Sequence, residues 1–316
     1  MQKKIDLSLV IPAFNEEKNI RPLYDLISET LPETTSDYEV IFIDDGSVDS
    51  TLNVLNALSK KDLKIKIIAL KRRFGQTAAV SAGFDAAQGD VVVTLDADLQ
   101  NDPRDIQKLL DKMNEGYDVV SGWRKDRKEP FLSRRFPSMI ANLLIAKITG
   151  VNLHDTGCSL KAYKKEIVKE IKLYGEMHRF IPAIAHIAGA KIAEVVVRHH
   201  PRRFGKAKYG INRTLRVILD ALTVKFLLSY QTRPMHFFGK LGVFVGGAGT
   251  LLLTYLVYQR FFIAIPLSSR PLFLVAIFCI LVGLQLVMTG LLAEILTRVY
   301  FEAQNKKTYI IKEINN

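Results

Sequence analysis

The sequence is poor in cysteine, with only Cys158 and Cys279 in 316 residues. The two are far apart and match neither a disulfide framework nor a zinc-ligand spacing, so a reducing compartment is the simpler interpretation. The segment after Met1 also lacks the apolar core of a secretory signal, because it leads directly into a strand-like run. We therefore expect the first part of the chain, about 230 residues, to stay in the cytosol.

Acidic residues are few relative to basic ones: 32 Asp and Glu stand against 44 Lys and Arg, giving a net charge of +12. Such a balance favours polyanionic partners, namely nucleic acid, anionic lipid or phosphorylated substrates. No nucleic-acid partner is expected, because no recognition helix or base-stacking module accompanies the charge. The basic segments 124–135 and 198–208 leave two other interpretations open, a solvated face or contact with anionic membrane lipids.

Short, β-branched apolar runs alternate with helical stretches in the first half of the chain. This order predicts βαβ units and a mostly parallel, Rossmann-like α/β sheet. Asp102 followed by Pro103 is a typical N-cap and first-turn pair for a further helix. The predicted strands cover residues 5–12, 39–44, 65–70, 90–96, 117–122, 158–163 and 191–199, and the predicted helices cover 16–31, 49–60 and 76–88.

Two uncharged apolar runs dominate the C-terminal part, at residues 241–259 and 271–293. Each is long enough to cross a hydrocarbon core of about 30 Å. Their length disfavours the alternative, buried helices of a soluble domain. The connection 260–270 is too short for a domain, so we expect a transmembrane hairpin. Basic residues flank its outer ends, which predicts a plasma (inner) membrane protein with both termini in the cytosol.

Two amphipathic helices are predicted ahead of the hairpin, around residues 138–148 and 211–228. The second leads into a membrane segment, so we expect it to lie on the membrane surface. The predicted organisation is an N-terminal α/β domain at 1–210, a juxtamembrane amphipathic helix at 211–235, two transmembrane helices within 236–297 (about 238–259 and 271–293) and a cytosolic tail at 298–316.

Polar clusters follow three of the predicted strands. Strand one ends in Pro12-Ala13-Phe14-Asn15-Glu16, strand two in Asp44-Asp45-Gly46-Ser47, and strand four in Asp96-Ala97-Asp98-Leu99-Gln100. In a parallel α/β sheet, ligands bind beyond the carboxyl ends of the strands. One such cluster alone could be a helix cap or a turn, whereas three on the same edge indicate a binding site.

Asp96 and Asp98 are the most informative pair. Residues two apart in an extended chain point the same way, so the two carboxylates converge. They repel each other unless a cation lies between them, and hard oxygen ligands suit Mg²⁺ or Mn²⁺. Magnesium takes one or two carboxylates and completes its shell with substrate phosphate. This is what a nucleoside-diphosphate leaving group requires, since its developing charge must be neutralised.

These motifs resemble the family-2, GT-A-fold glycosyltransferases, in particular the branch of dolichol-phosphate mannose synthases and their bacterial relatives that glycosylate undecaprenyl phosphate. The similarity covers nearly the whole chain. Among bacterial members, those that add formamido-arabinose or glucose look most similar. The resemblance is carried by Val10-Ile-Pro-Ala-Phe-Asn-Glu16, Asp44-Asp-Gly-Ser-Val-Asp49, Gly75-Gln-Thr-Ala-Ala-Val-Ser-Ala-Gly83, Asp96-Ala-Asp-Leu-Gln100, Asp155-Thr-Gly-Cys-Ser-Leu-Lys161, His178-Arg-Phe-Ile-Pro182, Arg202-Arg-Phe-Gly-Lys-Ala-Lys-Tyr209 and Gly290-Leu-Leu-Ala-Glu294.

The resemblance implies metal-dependent, inverting transfer of a sugar from a nucleotide-sugar to undecaprenyl or dolichyl phosphate. Position 207 is Ala where the family often has Ser, and Arg73 replaces a frequent Asn, which bears on donor identity more than on reaction class. Homo-oligomerisation is an expectation from the resemblance alone. The implied roles are Pro12, Asn15, Glu16, Asp44 and Asp45 around the nucleoside and ribose, Asp96, Asp98 and Gln100 at the metal and diphosphate, Arg124 with Arg134 or Arg135 at the lipid phosphate, and Arg203 and Lys208 over the donor diphosphate.

A phosphate acceptor changes the need for a general base. Most inverting transferases must activate a hydroxyl, but a phosphomonoester is already largely ionised near neutral pH, its second pKa being about 6. It needs positioning and screening, which arginines provide. Asp155 is a candidate base by resemblance, although a structural or substrate-positioning role is favoured. Some family members carry their proposed base three places later, where this chain has Cys158.

Two other functions fit the sequence less well. A processive polysaccharide synthase would carry a Q-x-x-R-W motif, but the single tryptophan, Trp123, lies between Gly122 and Arg124. Two membrane spans are also few for a polymer channel. A non-catalytic protein that binds nucleotide-sugars would tolerate loss of Asp96, Asp98 and Arg203, and all three are present.

Overall fold

The structure is a computed structural model that describes residues 5–125, 151, 153–171, 173, 177–187, 189–201, 235–263, 266, 270–303 and 311–315. The chain divides into two compact units, one formed by Met1–Val224 with Lys307–Asn316 and the other by Lys225–Lys306. Within the described residues, the first unit contains an eight-stranded mixed sheet and the second contains two long helices.

The elements are numbered in chain order. The strands are β1 (Leu7–Ala13), β2 (Tyr38–Asp44), β3 (Ile65–Leu70), β4 (Val91–Thr94), β5 (Val119–Trp123), β6 (Lys161–Lys164), β7 (Ile192–Val196) and β8 (Ile311–Asn315). The helices are α1 (Glu17–Thr34), α2 (Thr51–Ser59), α3 (Gln76–Ala86), α4 (Ile106–Asn114), α5 (Lys165–Glu170), α6 (Ile181–Ile187), α7 (Met235–Phe262) and α8 (Pro271–Ala303). Short 3-10 turns occur at Pro103–Asp105 and Met177–Arg179.

The strand order in the sheet is β7-β5-β6-β4-β1-β2-β3-β8. Strands β4, β1, β2 and β3 run parallel, as do β5 and β7, whereas β6 is antiparallel to both of its neighbours. Strands β1 and β2 are apolar and buried over nearly their whole length. Such continuous burial is typical of parallel strands whose two faces are covered by helices.

The predicted mostly parallel α/β class is confirmed, and a strand occurs at each of the seven predicted places. The boundaries differ most at the start of β6 and the end of β7, by three residues each, and β4 ends at Thr94 rather than at residue 96. At Thr94 its pairing with Lys161 of β6 ends, and the chain turns into the loop that carries Asp96. Asp102 caps the 3-10 turn before α4 as predicted, its side chain accepting from the Arg104 N–H. The predicted amphipathic helices at 138–148 and 211–228 lie outside the described residues.

The C-terminal segment differs from the predicted tail at 298–316. Helix α8 continues to Ala303, and Ile311–Asn315 forms β8, which pairs antiparallel with β3 at the edge of the sheet. This strand lacked a sequence signal because its five residues contain only two apolar side chains, Ile311 and Ile314, which neither alternate with polar ones nor form a run. The chain therefore leaves the sheet-containing unit before α7 and rejoins it after α8.

Helices α7 and α8 form the second unit and contain the two predicted apolar spans. Both are long and apolar enough to cross a membrane, with mean hydropathies of 1.7 and 2.7 in their most apolar windows. Their large side chains are mostly exposed, for example Phe244, Leu251 and Leu274. Core helices of a soluble domain would bury these groups, so the exposure favours a lipid environment.

Glycines allow the two helices to approach each other closely. A Cβ on Gly283 would lie 2.6 Å from the Gly246 backbone and 2.7 Å from the Gly242 carbonyl oxygen. A Cβ on Gly249 would lie 2.8 Å from the Ala276 carbonyl oxygen. Small residues at such crossings let helix backbones pack in membranes.

Candidate active site

The three polar clusters lie at one edge of the sheet. They follow β1, β2 and β4, and the sheet order places β1 between the other two strands. Because these strands are parallel, their carboxyl ends meet at the same edge. Pro12 and Ala13 at the end of β1 pair in register with Ile43 and Asp44 of β2. The predicted convergence of Asn15, Asp44 and the Asp96 loop is therefore present in the fold.

The loops after β1 and β2 support each other through hydrogen bonds. The Asn15 N–H donates to Ser47 Oγ at 2.9 Å, and the Val48 N–H donates to Asn15 Oδ1 at 2.9 Å. The Glu16 N–H donates to Thr51 Oγ1 at 2.9 Å. Asp44 is buried and accepts from the Ser47 N–H at 3.3 Å. These contacts hold the loops after β1 and β2 together as one surface.

Gly46 is required by the backbone at this edge. Its φ of +68° lies in the left-handed region, and a Cβ there would lie 2.4 Å from the backbone carbon of Arg72. Any other residue would clash with the loop after β3 and would be strained in φ.

Asp45 holds the loop that leads from β3 into α3. Its carboxylate accepts from the Phe74 N–H at 2.7 Å and from the Gly75 N–H at 2.9 Å. Burial raises the pKa of Asp45, although these two N–H groups favour its ionised form. The sequence predicted a nucleotide contact for Asp45, and that role stays a prediction. The structure gives this carboxylate a positioning role at the start of α3.

Asp96 and Asp98 lie in the loop after β4, next to the first residue of α3. Gln76 Nε2 donates to Asp96 Oδ1 at 2.8 Å, and the Gln100 N–H donates to Asp98 Oδ1 at 3.1 Å. Asp98 is buried. Burial and the charge of Asp98 raise the pKa of Asp96 to about 6. The two carboxylates are thus held together in a poorly hydrated place, at an electrostatic cost.

The electrostatic cost of holding Asp96 and Asp98 together bears on whether this site fits a metal ion. Two carboxylates forced together out of water are stabilised by a hard divalent cation between them. Among the described residues no group of three His, Cys, Asp or Glu side chains converges to hold a metal alone. Asp96 and Asp98 therefore fit Mg²⁺ or Mn²⁺, which take few carboxylates and complete their shell with water and phosphate. The backbone of Gln100 contacts Asp98, while its predicted side-chain contact with the metal stays a prediction.

A buried lysine lies behind this pair. Lys161, the first residue of β6, pairs in register with Thr94 of β4 and is 3% exposed. Its Nζ donates to the carbonyl oxygens of Thr156 at 3.1 Å and of Cys158 at 2.5 Å. Burial lowers the pKa of Lys161. The lysine fixes the loop before β6 against the end of β4, from which the loop with the two carboxylates continues. No role for Lys161 was predicted from the sequence.

Burial also decides the chemistry of Cys158. It raises the pKa of the thiol to about 11, in spite of the nearby charges of Arg124 and Lys161. The thiol therefore stays protonated near neutral pH, and Cys158 cannot serve as a base where other family members carry one.

Arg124 and Asp155 form a buried ion pair. Arg124 Nε donates to Asp155 Oδ2 at 2.7 Å and Nη2 donates to Oδ1 at 3.0 Å, while the Arg124 N–H lies 3.3 Å from Oδ2. The Asp155 side chain is 1% exposed and that of Arg124 is 15% exposed. The Asp155 N–H donates to Glu194 Oε1 at 2.9 Å. The structure thus brings together an arginine predicted at the lipid phosphate and an aspartate predicted as catalytic.

The other predicted phosphate-binding residues, Arg134, Arg135, Arg203 and Lys208, lie outside the described residues. Sequence reasoning, in turn, missed Gln76 and Ser159, although both lie in motifs that carry the resemblance. Gln76 opens α3 and touches Asp96, whereas Ser159 accepts from Asn101 Nδ2 at 2.8 Å and hydrogen-bonds Asp96. The position of Gln76, directly after Gly75 at the start of a predicted helix, was the available signal.

Comparisons with known proteins show relatives that match nearly the whole chain. The chain is 43% identical to a dodecaprenyl-phosphate galacturonate synthase of Rhizobium johnstonii, over 99% of this chain and 94% of that protein. It is 36% identical to an undecaprenyl-phosphate 4-deoxy-4-formamido-L-arabinose transferase of Shewanella sediminis, over 98% of this chain and 92% of that protein.

Solved structures share the fold at lower identity. A glucosyl-3-phosphoglycerate synthase from Mycobacterium tuberculosis, crystallised with Mn²⁺ and UDP-glucose, superposes with a TM-score of 0.54 at 20% identity. The match covers 70% of this chain and 79% of that one. The model of glycosyl transferase family 2 matches residues 8–172, which include the clusters after β1, β2 and β4 and the Arg124–Asp155 pair. The chain therefore belongs to glycosyl transferase family 2.

Proposed function

We propose that this protein transfers a single sugar, with inversion, from a nucleoside-diphosphate sugar to polyprenyl phosphate at the cytosolic face of the membrane. The observation that carries the proposal is that two features occur in the same chain. A rigid polar edge presents the paired carboxylates Asp96 and Asp98, and two long apolar helices follow it. Relatives that match the chain over nearly its whole length are named for polyprenyl-phosphate substrates.

The residues at this edge of the sheet have different roles in the proposed reaction. Asp96 and Asp98 would hold a divalent cation, which would neutralise the charge that develops on the leaving diphosphate. Gln76 keeps Asp96 oriented, and Lys161 keeps the neighbouring loop in place. Asn15 and Asp44 lie where the loops after β1 and β2 form the nucleoside side of the edge.

The acceptor requires positioning rather than deprotonation. A phosphomonoester is largely ionised near neutral pH, so no side chain must remove a proton from it. Asp155 is buried and paired with Arg124, which supports a positioning role and argues against a general base. Arg134 and Arg135 remain the predicted phosphate-binding residues of the acceptor, and Arg203 and Lys208 remain those of the donor.

We propose the donor sugar from the names of the relatives. Nucleotide-linked galacturonate and nucleotide-linked formamido-arabinose are the first donors to test, because relatives at 43% and 36% identity are named for these sugars. A homo-oligomer and contact with anionic lipids are proposed from the family resemblance and the net charge of +12.

The test is transfer of radiolabel from each nucleotide-sugar into organic-extractable lipid by the full-length protein in detergent with undecaprenyl phosphate. We expect one sugar per lipid, and activity that EDTA abolishes and Mg²⁺ or Mn²⁺ restores. Asp98→Asn should lose at least about a hundredfold in turnover, because a metal ligand of the transition state is removed. Asp111→Asn, on the exposed face of α4, is the matched control and should retain full activity.

Full activity in EDTA would contradict the metal assignment while leaving the reaction intact. Products carrying several sugars would instead favour a processive synthase. Binding of donors without any transfer would favour the non-catalytic alternative.

A further inference from the structure

The turn that follows Asp98 has an unusual backbone. Leu99 adopts a φ of +61°, and its side chain is 6% exposed. A left-handed conformation is uncommon for a residue with a branched side chain, and it persists only where the surroundings enforce it. The Gln100 N–H donates to Asp98 Oδ1 at 3.1 Å across this residue, so whatever enforces the conformation of Leu99 also holds the donor that orients the Asp98 carboxylate.

The chain beyond β7 lies along this turn and is bonded to it. The His200 N–H donates to the Gln100 carbonyl oxygen at 2.8 Å, and Asn101 and His199 form an antiparallel bridge. His200 Nε2 also lies 3.3 Å from Asp102 Oδ2. Two consecutive residues after Leu99 are thus fixed by a segment about a hundred positions later in the chain.

Arg198 ties the same two segments together by charge. Its backbone N–H donates to Asp105 Oδ2 at 2.6 Å, and its Nε and Nη2 donate to Asp105 Oδ1 at 3.1 and 2.9 Å. Its Nη1 lies 3.3 Å from Asp102 Oδ2. Asp105 is fully buried, and Lys108 Nζ also contacts it, at 2.8 Å.

Both acceptor carboxylates are ionised throughout the neutral range. Burial alone would raise the pKa of Asp105, but hydrogen bonds from Arg198 and Lys108 outweigh it and hold that pKa below its usual value. The pKa of Asp102 is also lowered, since the Arg104 N–H, His200 and Arg198 outweigh the effect of burial. The clamp formed by Arg198, Asp102 and Asp105 is therefore a charge-assisted one.

We propose that Arg198 is a positioning residue for the metal-binding turn: through Asp102 and Asp105 it holds residues 99–105 in the conformation that aims Asp98 at the cation. The metal part of this inference rests on the proposed function. The role resembles that of outer residues at other metal sites, which orient the ligands without touching the ion and whose loss weakens metal binding about 10- to 100-fold.

The chain offers a matched control in the Lys164–Asp118 pair. Lys164 Nζ lies 2.7 Å from Asp118 Oδ1, and Asp118 Oδ2 accepts from the Lys191 N–H at 2.8 Å. The exposed fractions of the two cationic side chains are alike, 42% for Lys164 and 44% for Arg198. The control pair also links neighbouring strands, because Lys164 ends β6 and Asp118 and Lys191 directly precede β5 and β7. It does not touch the turn after Asp98.

The experiment compares Arg198→Gln, Arg198→Lys and Lys164→Gln in the full-length protein in detergent. The first measurement is hydrogen exchange of the backbone amides at 98–105. The second is Mn²⁺ binding to the nucleotide-free protein, followed by the EPR signal of free Mn²⁺. For Arg198→Gln we expect exchange at 98–105 about tenfold faster or more, and Mn²⁺ affinity about tenfold weaker. Arg198→Lys should be intermediate, because lysine keeps the charge and loses the fork.

Lys164→Gln should change neither quantity, even where its melting midpoint falls as far as that of Arg198→Gln. Unchanged exchange at 98–105 in Arg198→Gln would overturn the clamp. Faster exchange with unchanged Mn²⁺ affinity would overturn the positioning role and leave a structural contact. If the wild-type protein bound no Mn²⁺ either alone or together with a nucleoside diphosphate, the metal assignment of the proposed function would fall, and the exchange data alone would decide the clamp.

Discussion

Arg124 and Asp155 show how a single contact changes the meaning of a mutation. The family resemblance assigns Arg124 to the lipid phosphate, which predicts loss of transfer in Arg124→Ala. In the structure the same guanidinium neutralises a carboxylate that is 1% exposed. Removing one partner of a buried pair leaves the other charge uncompensated, at a cost of about 3–5 kcal/mol.

Arg124→Ala should therefore lower stability as well as activity, so lost activity alone cannot identify an acceptor contact. We expect the melting midpoint of Arg124→Ala to fall by several degrees, and that of the double variant Arg124→Met with Asp155→Leu to recover most of the loss. Differential scanning fluorimetry of the detergent-solubilised protein measures both. Transfer at limiting polyprenyl phosphate, assayed on the double variant, then reports on acceptor binding separately from folding.

If the single variant keeps the wild-type midpoint, the pair contributes nothing to stability, and Arg124 is available for the acceptor as the resemblance implies. Recovered stability without recovered transfer would assign the Arg124–Asp155 pair a role in transfer beyond its role in folding.

At the scale of elements, the contact between α7 and α8 depends on individual glycines. A side chain on Gly283 would enter the backbone of α7, because a Cβ there already lies 2.6 Å from Gly246. Gly247, one residue further along α7, has nothing within 4 Å of its would-be Cβ. The two positions share residue type but differ in what they face.

Gly283→Leu should separate the helices and destabilise the protein by about 1–3 kcal/mol, the usual cost of overpacking. Gly247→Leu should be close to neutral, since it adds an apolar side chain to an exposed face. Thermal aggregation in detergent distinguishes the variants. Equal midpoints for the two variants would show that the close approach of the helices does not determine stability.

At the scale of the whole molecule, the connectivity bears on orientation. The chain leaves the sheet-containing unit before α7 and returns to it as β8 after α8. If both helices cross the membrane, their outer ends must lie on the side of the catalytic unit, as the distribution of basic residues also predicts. Only the short connection between Phe262 and Pro271 would then reach the other side.

Labelling in intact cells tests this orientation. Ser268→Cys, in the connection, should react with an impermeant thiol reagent. Leu63→Cys should react only after permeabilisation, although residue 63 is 93% exposed. Both natural cysteines are replaced first. The reverse pattern of labelling would place the active edge away from cytosolic nucleotide-sugars and contradict the proposed function.

Much of the fold and part of the site were predictable because their signals are local. Each of these signals lies within one continuous stretch of sequence: the buried runs of β1 and β2, the apolar spans of α7 and α8, and the spacing of Asp96 and Asp98. A buried strand can be recognised from its residue types, because buried positions are apolar and side chains alternate between the two faces. The strand β8 leaves none, because an edge strand of five residues is specified by its neighbour β3 rather than by its own pattern.

The sequence by itself determined the α/β class, the two apolar helices and the carboxylate pair at the edge of the sheet. Only the tertiary structure decided which partner each buried charge has. Arg124 meets Asp155 across 31 positions and Arg198 meets Asp105 across 93, while Lys161 turns its charge to backbone carbonyls. No spacing rule reaches that far, because a buried charge takes its partner from whichever segments the packed sheet brings beside it, and the low polarity there makes that choice costly to change.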